Sequence, residues 1–287
     1  MDAHEPLDTA PVPEGGGPRG GRNLPVAIAS GLLLAGVFIG TLAWNDWVFL
    51  TFVAVIITVG MLEVGLEFRE QRLLRPVTTL AVVAGLAMFY GAYAFGERAQ
   101  VVGLAVAVLG GLAWPLTGRD RTDVVGTVGA TFLLTLWVPF CASFIGLLLA
   151  RDDGRWLVAA VIALTVTGDI GAYAFGRPFG THKLAPTVSP GKTWEGLAGA
   201  IVTVLVVASL VTAPLVRSLD LVDALVLGAV IAVAGTLGDL SESLIKRDLG
   251  VKDLGRIVPG HGGIMDRVDA MVFALPAAHL VLLALGI

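Results

Sequence analysis

Leu221–Asp269 reads LVDALVLGAVIAVAGTLGDLSESLIKRDLGVKDLGRIVPGHGGIMDRVD. Its first half is an apolar run, and from Gly235 onward polar residues enter it in a fixed order. Asp239, Glu242, Ser243 and Lys246 fall at i, i+3, i+4 and i+7, so at about 3.6 residues per turn an otherwise apolar helix carries one polar stripe. Such a stripe needs a polar partner, because an unpaired charge in a membrane helix is costly. The next loop holds Lys252, Asp253, Pro259 and the turn GHGG. Asp266 and Asp269, spaced i, i+3, then open the last apolar segment on one helical face.

The remainder of the chain is written in the same apolar alphabet. Of 287 residues, 56% are hydrophobic and 15% charged, with a mean hydropathy of +0.85. A soluble domain carries about a quarter of its residues as charges. Apolar stretches of about 20 residues, enough to cross a ~30 Å hydrocarbon core, recur throughout. They are expected at Leu24–Ala43, Val48–Leu66, Val77–Phe95, Val101–Leu116, Val124–Ala150, Trp156–Phe175, Gly196–Val216, Leu221–Ile245 and Ile264–Gly286. The expected fold is therefore all-α, a polytopic integral membrane protein of about nine transmembrane helices. The fourth span is short and the fifth is long and carries Pro139.

Residues 1–23 are rich in Pro and Gly and bury too little apolar area to offset the entropy of ordering, so a disordered tail is expected. Residues 24–150 form an N-terminal helical scaffold. Residues 151–287 are expected to form the C-terminal helical region that carries the polar chemistry, with loops at 176–195 and 246–265. With the N-terminus placed in the cytoplasm, fifteen of the 19 Lys and Arg residues fall on the inner side. That asymmetry sets the orientation. Both polar loops then face the cytoplasm of a cell membrane, and the C-terminus lies outside. The net charge of −4 offers no basic surface for a nucleic acid. The single cysteine, Cys141, excludes an intrachain disulfide and a cysteine-based zinc site.

The runs Ser243-x-Ile245-Lys246-Arg247, Lys252-Asp253-x-Gly255 and Pro259-x-His261-Gly262-Gly263-Ile264-x-Asp266-Arg267-Val268-Asp269 resemble the signature of the phosphatidate cytidylyltransferases, the CDP-diacylglycerol synthases. Val258 departs from the usual pattern, which has a larger apolar residue before the Pro. The loop GRPFGTHKLAPTVSPGKTWEG, residues 176–196, carries a second stretch similar to the same family, Ser189 to Gly196. Read physically, its glycines and prolines make tight backbone, and His182, Lys183 and Lys192 supply positive charge. Thr193 opens a helix whose free N–H groups favour an anion. The GKT within it is no Walker A motif, since Pro186 stands where the first Gly should be and no strand is expected before it. A basic loop touching anionic lipid is the simpler alternative.

The resemblance implies transfer of a cytidylyl group from CTP to phosphatidate within the bilayer, giving CDP-diacylglycerol and pyrophosphate for phospholipid synthesis. Joining two anions calls for a divalent cation, and Mg²⁺ prefers carboxylate oxygens. Asp239 and Asp266 are the first choice of ligands, with Asp269 and Asp169 in reserve; Asp169 interrupts the sixth apolar span. Asp239, Asp266 and Lys246 are the expected catalytic residues. Ser189, Lys192, Thr193, Ser243, Arg247, Lys252, His261, Gly262, Gly263 and Arg267 are the expected substrate contacts. Glu63 reads as a snorkelling or paired residue and His279 as lacking any functional context. No general base is required, because phosphatidate already presents an anionic oxygen. Three alternatives remain at this point: a CTP-dependent enzyme for another lipid phosphate, one for a lipid alcohol, and an ion-coupled secondary transporter. The transporter lacks support because no polar segment in the first half mirrors Asp169 or Asp239. The sequence leaves a homodimer open.

Overall fold

A computed structural model describes residues 24–72, 74–117, 123–255 and 263–287. The described residues form nine helices: α1 Leu24–Trp44, α2 Asp46–Arg72, α3 Thr78–Phe95, α4 Glu97–Thr117, α5 Val124–Leu149, α6 Gly154–Phe179, α7 Trp194–Leu215, α8 Leu221–Leu249 and α9 Met265–Leu285. Among the described residues, α2 to α9 are the eight long and apolar enough to cross a membrane, and α1 adds an apolar stretch at Leu33–Trp44. The protein is an all-α polytopic membrane protein. The proposed tail, residues 1–23, lies outside the described residues.

The helix ends correct several expected boundaries. α4 is not short, because it begins at Glu97 and gains a first turn with an acidic residue at the favourable end of the helix dipole. α6 runs to Phe179 rather than Phe175, its last turn tolerating Pro178 before Gly180 returns its N–H to the Gly176 carbonyl at 3.0 Å. α8 runs to Leu249, where Gly250 takes the left-handed conformation (φ 72°) that closes a helix. The Pro139 that made the fifth span ambiguous sits in a π turn, Leu136–Phe140, inside an otherwise continuous α5. Widening the turn accommodates a residue that has no N–H to give.

One departure from an all-helical chain lies between α6 and α7. The strands β1 Lys183–Ala185 and β2 Ser189–Thr193 form an antiparallel hairpin, pairing Lys183 with Thr193 and Ala185 with Ser189 around an irregularity. A strand therefore does precede the GKT, contrary to expectation. The GKT itself lies at the end of β2 and not in a phosphate-wrapping loop, so the Walker A motif stays excluded.

α6 packs along α7 and α8 along α9, while α3 packs on α4 and α5. One buried apolar cluster joins the two groups, running from Leu50 and Phe89 through Leu134 and Leu164 to Leu227, Ile231 and Leu282. The α8–α9 crossing positions the polar residues. A Cβ on Gly238 would stand 2.5 Å from the Asp269 carbonyl oxygen and 3.1 Å from Ala270 Cα. Absence of a side chain there brings Asp239 of α8 beside the first turn of α9. Gly238→Val is expected to force the helices apart at a cost of about 1–3 kcal/mol. A fall in the thermal unfolding temperature of the detergent-solubilised protein reads that cost, and an unchanged temperature would show that the crossing is not tight.

Candidate active site

Lys246 lies between two carboxylates, 3.0 Å from Glu242 Oε2 on its own helix and 2.9 Å from Asp266 Oδ1 on α9. The expected stripe is real, and its second member is the deepest: Glu242 is fully buried. Burying a carboxylate costs several kcal/mol unless a countercharge follows it. Lys246, one turn along α8, provides that charge. Glu242 Oε1 has no hydrogen-bond partner among the described residues, and the carboxylate also lies against that of Asp269, a second acceptor.

Asp266 closes the loop between α8 and α9. Its Oδ2 accepts the backbone N–H of Leu254 at 3.1 Å and of Gly263 at 2.9 Å, while Oδ1 faces Lys246. Both of its oxygens are thus engaged. A residue from the first half of the chain completes this clamp: Glu63 of α2, 3% exposed, accepts the Ile264 N–H at 2.7 Å. Its carboxylate fills the space that a side chain on Gly255 or Gly263 would occupy. Glu63 was expected to be a snorkelling or paired residue. It is paired and does not snorkel: it is a buried brace for the signature loop, a role no local pattern announces because its partner lies 201 residues away.

A second ion pair docks the hairpin. Lys192, in β2, pairs with Asp239 of α8, and Ser243 Oγ donates to the other Asp239 oxygen at 3.3 Å. Arg247 Nε donates to the Val188 carbonyl at 3.2 Å, a further tie between α8 and the hairpin. At the hairpin base, Glu195 accepts from the Thr181 hydroxyl at 2.7 Å and lies 2.6 Å from His182 Nδ1. His182, expected to supply positive charge in this loop, is committed to Glu195. Thr193 caps α7, its hydroxyl accepting the Gly196 N–H at 3.1 Å. That occupies one of the helix-start donors expected to await an anion.

Asp169, exposed on α6, interacts electrostatically with Lys192, Asp239 and Asp269. The structure thus groups Asp239 with Asp169, Asp269 and Lys192, and sets Asp266 with Lys246 and Glu242 beside them. Ser189 begins β2, Lys252 is exposed on the bend after α8, and Arg267 is exposed on the first turn of α9. His261 and Gly262 lie outside the described residues, as do Pro259 and Val258. His279, read as lacking context, is buried and places Nε2 2.9 Å from Glu97 Oε1, away from this site.

Two lysines, each borrowed between elements, thus hold three acidic side chains at one end of the bundle, with Asp169 and Asp269 beside them. A profile described as "Cytidylyltransferase family" matches residues 25–285. The chain belongs to that family. It is 36% identical over 276 residues to a phosphatidate cytidylyltransferase of Mycobacterium bovis, covering 92% of this chain and 90% of that protein. A Mycobacterium leprae protein of the same name is 36% identical over 276 residues, with 91% and 87% covered. One from Haemophilus influenzae is 39% identical over 154 residues, about half of each chain.

Lys246→Met would leave Glu242 buried without its countercharge, and a loss of about 3–5 kcal/mol is expected. Adding Glu242→Gln should restore much of the unfolding temperature but none of the turnover, since Asp266 still lacks its ammonium. A double variant no more stable than the single one would show that Lys246 does not support Glu242.

Proposed function

We propose that this chain transfers the cytidylyl group of CTP to phosphatidate, releasing pyrophosphate and forming CDP-diacylglycerol. One observation carries the reading: lysines and carboxylates from the hairpin, α6, α8 and α9 converge at one end of a membrane-spanning bundle, in a chain similar along nine-tenths of its length to phosphatidate cytidylyltransferases. A phosphate oxygen of phosphatidate attacks the α-phosphorus of CTP, a new P–O bond forms, and the bond to the β-phosphate oxygen breaks. The nucleophile is already anionic, so no side chain has to remove a proton from it. What the reaction lacks in water is a way to bring two polyanions together.

Lys192 and Lys246 are the cations placed to do this. Each is partly accessible, with 21% and 17% of its side chain exposed, and each can exchange its carboxylate partner for a phosphate oxygen. Ser243 and Arg247 lie along the same face of α8, at the hairpin contact. The backbone at Gly263 and Ile264 gives its N–H groups to Asp266 and Glu63 and is thereby fixed beside the site.

The chemistry of the donors fits a magnesium ion. Asp169, Asp239, Glu242, Asp266 and Asp269 outnumber Lys192 and Lys246, and Glu242 Oε1 is a buried carboxylate oxygen with no donor. Among the described residues, no three acidic or histidine side chains are gathered as a ready-made cation site, and three of the five carboxylates, Asp239, Glu242 and Asp266, are held by the lysines. Asp239, Asp269 and Asp169 would hold the ion. Asp266, first choice from the sequence, has both oxygens engaged and would act beside it. Bound there, Mg²⁺ would neutralise charge on the reacting phosphates and on the departing pyrophosphate.

The excess of Lys and Arg at the hairpin end of the helices supports a cytoplasmic orientation for this site in the cell membrane, where CTP is available. The lipid-facing Leu, Val and Ala carry no code for the lipid chain, and the family match and the named relatives favour the cytidylyl transfer over the lipid-alcohol and transporter alternatives. Purified protein supplied with labelled CTP, phosphatidate and Mg²⁺ is expected to produce a CDP-lipid, and to stop when the cation is chelated. Absence of any CDP-lipid would overturn the assignment. Asp239→Asn should lower kcat by about 100-fold, on the scale seen for lost metal or oriented polar groups, while the protein still folds and inserts. For orientation, a reporter fused after Ile287 and one inserted near Thr187 are expected on opposite sides of the membrane, and both on one side would refute the arrangement.

A further inference from the structure

Val166, Ile170, Tyr173 and Arg177 recur along α6 at i, i+4, i+7 and i+11, and so share one face. All four are exposed: Val166 by 44%, Ile170 by 62%, Tyr173 by 64%, and Arg177 at the end of the row. The face is graded. It is aliphatic toward mid-helix, then aromatic, then cationic in the last turn beside the hairpin. Arg177 Nη1 donates to the Tyr173 hydroxyl at 2.5 Å, and its guanidinium carbon lies 5.7 Å from the centre of the Tyr173 ring. Tyrosine holds the guanidinium plane in place without cancelling its charge. Among the described residues, no carboxylate is paired with Arg177.

Asp169 lies roughly 70° around α6 from this row, at about 100° per residue. It is the α6 member of the group that contains Lys192, Asp239 and Asp269. One helix therefore borders the candidate active site with one edge and presents a graded amphipathic row with the next.

The geometry points to Val166, Ile170, Tyr173 and Arg177 as the subsite for the lipid phosphate monoester, with its phosphate on the Arg177 guanidinium and an acyl chain along Ile170 and Val166. This deepens the proposed function and rests on it. The dimensions agree: eleven residues of helix rise about 16 Å, close to one leaflet of a ~30 Å hydrocarbon core. The chemistry agrees as well. A guanidinium is less strongly hydrated than an ammonium and presents a fork that matches two phosphate oxygens, so it suits an anion at the membrane interface. A free nucleotide offers the same phosphate chemistry but has no use for the aliphatic part of the row.

The test is a kinetic split with full-length protein in mixed micelles, varying the surface fraction of phosphatidate and the bulk CTP concentration separately. Arg177→Gln is expected to raise the apparent KM for phosphatidate about tenfold and leave that for CTP within about twofold, the loss of a charge-assisted contact to one substrate only. Arg177→Lys keeps the interfacial charge needed for insertion and should raise the phosphatidate KM by about threefold, so it tests the subsite even where the Gln variant does not insert. Unchanged phosphatidate KM in Arg177→Lys and, where it inserts, in Arg177→Gln would reduce Arg177 to a membrane anchor and overturn the inference. A rise confined to CTP would overturn it too, by moving the arginine to the nucleotide. Both results differ from failure of the underlying function, in which the unsubstituted protein makes no CDP-lipid.

Discussion

Lys246 between Glu242 and Asp266 is the interaction on which the polar end of the bundle depends. Helices that must be apolar to sit in a bilayer can carry acidic residues only if their charge is met on the spot. Lys246 meets two at once, one on its own helix and one on the next, and so couples the register of α8 to the closure of the loop before α9. Lys192 does the same between the hairpin and α8. Neither lysine finds its cross-element partner until those elements have docked, so the site and the tertiary packing form together.

The same arrangement explains what could be read from the sequence. The stripe of Asp239, Glu242, Ser243 and Lys246 was legible because helical periodicity is local, and the i, i+4 contact of Lys246 with Glu242 follows from it directly. The membrane class was legible because bilayer thickness fixes a length that the apolar runs meet. The rank order within the stripe was not. Asp239 drew attention as the carboxylate in apolar surroundings, yet Glu242 is the one fully enclosed, a fact set by Asp269 and α9. Asp266 looked like a partner of Asp239 on one shared metal ion, but its oxygens go to Lys246 and to two backbone groups across the loop. Helix ends were misjudged where charged residues continue a helix past its apolar part, as at Glu97 in α4 and Arg177 in α6.

The first half of the chain is more than a frame. Glu63 braces the loop at Ile264, and Arg72, in the last turn of α2, pairs with Asp248 at 2.7 Å in the last turn of α8. Both contacts come from one helix and reach opposite ends of the same loop, Asp248 before it and Ile264 after it. α2 thus fixes the span that the loop must cover.

The Glu63 contact also has a temporal side. During synthesis α2 enters the membrane long before α9 exists, carrying a carboxylate whose backbone partner has yet to be made. Until Ile264 emerges and docks, that contact cannot form, and the brace across the loop is among the last ties of the fold to close.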